Sequence, residues 1–177
     1  LSIGLGRSKG GGAVRSLIDG YLKYKLMHQT KDNKKPFSAV LLLVSNLTYM
    51  TASDNLSSSV SFSKLDHRLA YTTQLLLSRK VNDYLSLQIM PTYVHRNYVS
   101  YEDENSLLAF GVGGRLKFTK RFGIIVDYFY VLRETTEIDN ITLYNPLAVG
   151  IEIETGGHVF HINFTNSTSM SDVYYLT

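Results

Sequence analysis

Ile124-Ile125-Val126-Asp127-Tyr128-Phe129-Tyr130-Val131-Leu132 is the stretch that decides the fold. Successive side chains of a strand point to opposite faces. Ile124, Val126, Tyr128, Tyr130 and Leu132 therefore share one face, and Ile125, Asp127, Phe129 and Val131 share the other. The next apolar segment repeats the pattern, with Leu143, Asn145, Leu147, Val149, Ile151 and Ile153 set against Ala148, Gly150, Glu152 and Glu154. One face is greasy, and the other carries charge or small residues. The alternation marks nine segments: Leu1–Arg7, Val14–His28, Phe37–Met50, Asp66–Lys80, Leu85–Val99, Leu107–Phe118, Gly123–Leu132, Leu143–Glu154 and His158–Thr168. Helical periodicity is not convincing in any of them. The pattern predicts an all-β fold, an antiparallel up-and-down transmembrane β-barrel with its apolar face outward and its polar face lining the lumen.

Composition agrees. The chain has 177 residues, enough for one mid-sized barrel domain, and 44% of them are hydrophobic, far from the composition of a disordered chain. The longest aliphatic run, Ala39–Val44, is much shorter than the ~20 residues of a membrane-crossing helix. Thirteen Tyr, eight Phe and no Trp supply interfacial rings. The absence of Cys excludes disulfides, thiolate metal sites and a Cys nucleophile. A net charge of +3, dispersed along strands, does not describe a nucleic-acid surface.

The connectors alternate in length, with Gln29–Pro36 a somewhat long member of the short-turn set and Arg7–Ala13 assigned to the outer side. Val81–Tyr84, Thr119–Phe122 and Thr155–Gly157 are short, whereas Thr51–Leu65, Ser100–Ser106 and Arg133–Thr142 are longer. Bacterial outer-membrane barrels combine short periplasmic turns with longer outer loops. On that bookkeeping the first strand starts at the short-turn end and the ninth ends at the long-loop end. An even strand count then requires at least one more strand, with residues 169–177 leading to it. The expectation is a partial barrel over residues 1–177, about ten to twelve strands when complete.

Alternation also assigns the faces. Ile18, Leu22, Tyr71, Leu77, Leu87, Ile89, Phe110, Val112, Tyr128, Leu147, Val149, Ile151, Ile162 and Phe164 are expected to face outward. Asp19, Lys23, Lys25, Arg68, Arg96, Arg115, Lys117, Asp127, Glu152, Glu154 and His161 are expected to form a lumen polar network in which both signs pair. Thr72, Gln74, Gln88 and Asn163 join them, and Gly111, Gly113 and Gly150 leave room on the same face. The competing reading is a soluble lipocalin-like barrel with its apolar face turned inward. Long strands, broad aromatic faces and paired charge on the other face weigh against it.

Little in the chain points to chemistry. His158 and His161 stand three apart on a strand and so face opposite ways, unsuited to one metal. Ser and His are plentiful (Ser167, Ser169, His95, His158, His161), but no nucleophile elbow is present. Gly4-Leu5-Gly6 and Gly111-Val112-Gly113-Gly114 read as strand glycines, since neither precedes a helix. The acidic stretches Tyr101–Asn105 and Glu134–Asp139 match no calcium spacing and read as solvated loops. The basic turn Lys31–Lys35 could meet anionic headgroups or solvent.

Several motifs carry a resemblance. These are Asp66-His67-Arg68-Leu69-Ala70-Tyr71, Ser86 to Asn97 around Met90-Pro91-Thr92, Gly113-Gly114-Arg115-Leu116-Lys117, Tyr144-Asn145-Pro146-Leu147, Glu154-Thr155-Gly156-Gly157-His158-Val159-Phe160 and Phe164-Thr165-Asn166-Ser167. Together they resemble an uncharacterised family of outer-membrane β-barrel proteins from Bacteroidetes-type bacteria, best over residues 65–170. The resemblance implies an outer-membrane location and a longer barrel; it brings no catalytic residues and no cofactor. The functional expectation is a non-enzymatic barrel, either a narrow pore or a scaffold for other envelope proteins, in contact with outer-membrane lipids and not nucleic acid. The alternatives are a lipid-modifying enzyme and the lipocalin-like carrier.

Overall fold

The computed structural model describes residues 1–9, 14–55, 58–101, 103–135, 137–138, 141–169 and 171–177. Nine long strands form one sheet: β1 (Ser2–Ser8), β2 (Leu17–Met27), β3 (Ser38–Thr48), β4 (Leu69–Lys80), β5 (Leu85–Arg96), β6 (Ser106–Lys117), β7 (Phe122–Leu132), β10 (Leu147–Glu154) and β11 (Val159–Thr165). Each pairs antiparallel with the next, with no crossover. A two-stranded ribbon, β8 (Glu137–Ile138) with β9 (Ile141–Thr142), stands apart in the connection from β7 to β10. The described residues contain no α-helix, only a 3-10 turn at Asp66–Arg68.

The register carries the alternation across the whole sheet. Leu147, Tyr128, Val112, Ile89 and Leu77 form one row over β10, β7, β6, β5 and β4. Ala148, Asp127, Gly113, Gln88 and Ser78 form a row on the opposite face. The first face is exposed over its full width, from Leu5 at 85% to Phe164 at 69%. A soluble protein rarely leaves so broad an apolar surface uncovered, whereas a membrane barrel presents it to lipid. Exposed rings gather near both ends, with Tyr84, Phe118 and Phe122 at the short-turn end and Tyr49, Tyr71, Tyr93 and Tyr130 at the loop end, as an interfacial girdle requires.

The second face is the inside of a curl. Gln74 on β4, Asp127 on β7 and His161 on β11 line one cavity of ≈ 710 Å³, which a flat sheet could not bring about. The curl does not close, since β1 and β11 do not pair and β11 is exposed on both faces.

Local departures from the alternation have local causes. β2 begins at Leu17, after Ser16 takes φ 60° and ends any extended run. β10 begins at Leu147 and not Leu143: Pro146 has no N–H to donate, and the Asn145 side-chain oxygen accepts from the Val131 backbone N–H at 3.0 Å. Pro91 sits inside β5 without shifting register; the β4 ladder lapses beside it and resumes at Leu77 and Ile89. The register shift falls elsewhere, between Lys25 and Met27 on β2. Arg68, expected among the lumen charges, makes backbone contacts at the loop end. It lies in the 3-10 turn before β4, where its guanidinium donates to the carbonyls of Thr48 (3.3 Å) and Met50 (2.7 Å) and sits over the Phe62 ring.

Candidate functional site: the inner face of the barrel

The inner face has two halves of different chemistry. Toward the short turns, charge from strands far apart in sequence converges. Arg115 on β6 donates from Nε to Glu152 Oε1 at 3.0 Å and pairs with the same oxygen through Nη2. His161 Nε2 on β11 lies 3.2 Å from Glu152 Oε2. Lys117 Nζ donates to Glu154 Oε2 at 2.7 Å. β6 and β10 are not neighbours, because β7 runs between them. Lys117 and Glu152 both stand opposite Gly123 in register. A Cβ at Gly123 would meet Lys117 Cγ at 3.5 Å, so the Lys stem lies over that glycine. The missing side chain at Gly123 leaves the space over β7 that the Lys117 stem crosses toward Glu154. Glu152 is 5% exposed, and both its oxygens are engaged, the condition for enclosing a charge at tolerable cost.

The remaining expected network members lie apart. Asp19 on β2 accepts from the Asn46 side-chain amide and, at 2.9 Å, from the Ser8 hydroxyl. Lys23 and Lys25 face inward on β2, and Asp127 faces the ≈ 710 Å³ cavity; none of the three makes an ion pair among the described residues. Arg96 ends β5 at the loop side, where Nη2 donates to Asp103 Oδ1 (2.8 Å) and to the Glu104 carbonyl (2.7 Å). Asp103 thus holds its own loop down. Glu102, Thr136 and Asp139 of the acidic stretches lie outside the described residues.

Toward the long loops the inner face carries an apolar cluster beside the buried polar side chains of Asn46, Thr48, Thr72, Thr92 and Arg96. Ala70, Met90, Val94, Leu107, Ala109, Phe129 and Val131 form a buried cluster. Its cover is the segment 171–177, which turns back onto the inner face and places Val173 and Leu176 in the cluster at 0% exposure. Tyr175 meets Phe129 edge-on at 5.4 Å. Three hydrogen bonds tie the segment to the wall: Thr72 Oγ1 donates to the Asp172 carbonyl (3.2 Å), Arg133 Nη2 to that of Leu176 (2.9 Å) and Ser167 Oγ to that of Tyr175 (3.3 Å). Gly111 makes this packing possible, because the Phe129 ring occupies the place of its missing Cβ. This plug is the structural feature that alternation missed. Its sequence signal is Val173-Tyr174-Tyr175-Leu176, an apolar run after a polar stretch and too short to span a membrane.

Lipid-facing apolar rows, two belts of rings and a charged, plugged inside define a transmembrane β-barrel. The chain belongs to the family described as "Membrane bound beta barrel domain (DUF5777)", which matches residues 1–177. No curated protein matches it.

Proposed function

We propose that this protein is a non-enzymatic outer-membrane barrel whose lumen is blocked toward its loop end, serving as an accessory or scaffold barrel for other envelope proteins. The observation that carries this is the plug. Open channels are lined by polar side chains, and an apolar constriction excludes water even when it is wide enough to pass it. Here an apolar cluster on the loop-side inner wall is covered by Val173, Tyr175 and Leu176. The short turns at one end and long loops at the other support the outer membrane as its location. A pore reading draws on the Arg115, Glu152 and His161 cluster with its Lys117 and Glu154 neighbours as a charged filter. Planar-bilayer recording separates the two. A blocked barrel is electrically silent, and steady conductance that Arg115→Glu alters would overturn the proposal in favour of the pore.

One observation favours a second reading, lipid-ester hydrolysis. His95 Nδ1 lies 2.8 Å from Ser106 Oγ on the outward face at the loop end, where an acyl ester in the membrane interface could reach it. Two features weigh against catalysis. The same hydroxyl is 3.1 Å from Tyr93 OH, and no contact among the described residues orients the other nitrogen of His95. Reconstituted protein is expected to leave a fluorogenic diacyl phospholipid intact. Turnover lost in Ser106→Ala would establish the enzyme.

A further inference from the structure

The connections β2–β3, β4–β5, β6–β7 and β10–β11 share one end of the sheet, because consecutive strands alternate in direction; the last three are short and β2–β3 is longer. That end is basic. Its acidic residues are already engaged: Asp32 with Lys34 at 3.6 Å, Asp83 with Lys80 at 2.5 Å and Glu154 with Lys117 at 2.7 Å. The Thr30 hydroxyl, with Lys34, holds the Asp32 carboxyl below its ordinary range, and Lys80 does the same for Asp83. Lys31, Lys35, Arg79, Lys120 and Arg121 remain, all exposed and without an ion pair among the described residues. At the opposite end Arg96 pairs with Asp103, Arg133 lies near Asp103 and Glu104, and Asp54, Asp66, Glu134 and Glu137 offset the remaining cations.

Two geometric facts turn this excess into a surface. Gln29 locks two turns together, its Nε2 donating to the Lys80 carbonyl (2.9 Å) and its Oε1 accepting from the Lys80 N–H (2.8 Å). The cations of both turns therefore stand on one rigid rim. Arg79 pairs with Leu87 in register and so shares the lipid-facing side with Leu77 and Ile89. Tyr84, 61% exposed, is in the adjoining turn. A lipid lying along Leu77, Leu87 and Ile89 would bring its headgroup phosphate to the Arg79 guanidinium, whose planar fork suits a phosphate.

We propose that this rim is a docking surface for anionic phospholipid headgroups, with Arg79 at the acyl-chain boundary and Lys31, Lys35, Lys120 and Arg121 above it. It rests on the membrane placement alone and holds whether or not the lumen conducts. The test uses the whole chain in phosphatidylcholine vesicles, with spin-labelled phosphatidylglycerol compared with spin-labelled phosphatidylcholine for the motionally restricted fraction at the protein. The expected result is a several-fold preference for phosphatidylglycerol that collapses in 0.5 M NaCl, where the Debye length shrinks to a few ångströms. Replacing all five cations by Gln abolishes the preference, Arg79→Gln alone lowers it, and Lys9→Gln with Lys64→Gln at the loop end leaves it unchanged. Equal association of the two lipids overturns the proposal. So does a preference that survives salt, follows the loop-end substitutions, or is replaced by binding of inorganic phosphate without lipid selection. The salt arm needs no variant and decides the matter if the five-site protein fails to fold.

Discussion

Glu152 gathers two partners from two strands, and its side chain is nearly closed off from solvent. Glu152→Gln keeps the shape and removes the charge, leaving Arg115 without its counter-ion. A hydrogen bond to a charged group contributes about 1.5–3 kcal/mol, and Arg115 is partly solvated, so the loss is expected near the lower end. Urea unfolding of the detergent-solubilised barrel measures it. A cycle with Arg115→Met is expected to show coupling of at least about 0.5 kcal/mol; additivity would mean that the two side chains do not act on each other. Alternation alone places Arg115, Lys117, Glu152, Glu154 and His161 on one face. It does not say that the β6 cations reach past β7, which for Lys117 is eased by Gly123 standing opposite it in register.

At the scale of the element, the segment 171–177 behaves as a short independent unit. It is held by two buried aliphatic side chains, an aromatic contact and three hydrogen bonds, with no strand pairing. Such a unit can open below the free energy of global unfolding. Val173→Ala with Leu176→Ala removes its anchors, and a buried Leu→Ala truncation costs about 2–5 kcal/mol. Amide exchange is expected to accelerate in 171–177 while β5, β6 and β7 keep their protection; uniform loss of protection would show that the segment is part of the main cooperative unit. The strands themselves were legible wherever alternation ran unbroken, as along β7. Their ends were not. Ser16 at positive φ, Pro146 and the 3-10 turn at Asp66–Arg68 each interrupt an apolar pattern for backbone reasons that hydropathy does not record.

For the whole molecule, one curved sheet separates three environments. Its outer face carries apolar rows for lipid, its inner face a charged half and a plugged half, and its turn end an excess of unpaired cations. Silence in the planar bilayer belongs to this scale, because conductance depends on the narrowest level of the lumen and not on any single charge. The plug-loosened variant sharpens that expectation. If the plug is what blocks the lumen, Val173→Ala with Leu176→Ala adds intermittent openings to a silent background. Continued silence would place the block in the charged half, where long side chains already cross β7.

The sequence determined which side chains share a face, because the two-residue period of a strand is a local property that every segment states for itself. It also determined that the strands follow one another as hairpins, since each connector carries its own turn chemistry, and that one turn end is rich in Lys. Tertiary structure alone decided the rest. Which charges meet depends on register summed over several strands, and Arg115 and Glu152 are 37 positions apart. Where residues 171–177 go depends on the apolar pocket that the curl creates around Val94, Leu107 and Phe129. Burial there removes apolar surface from water, and that gain exists only once the wall has formed.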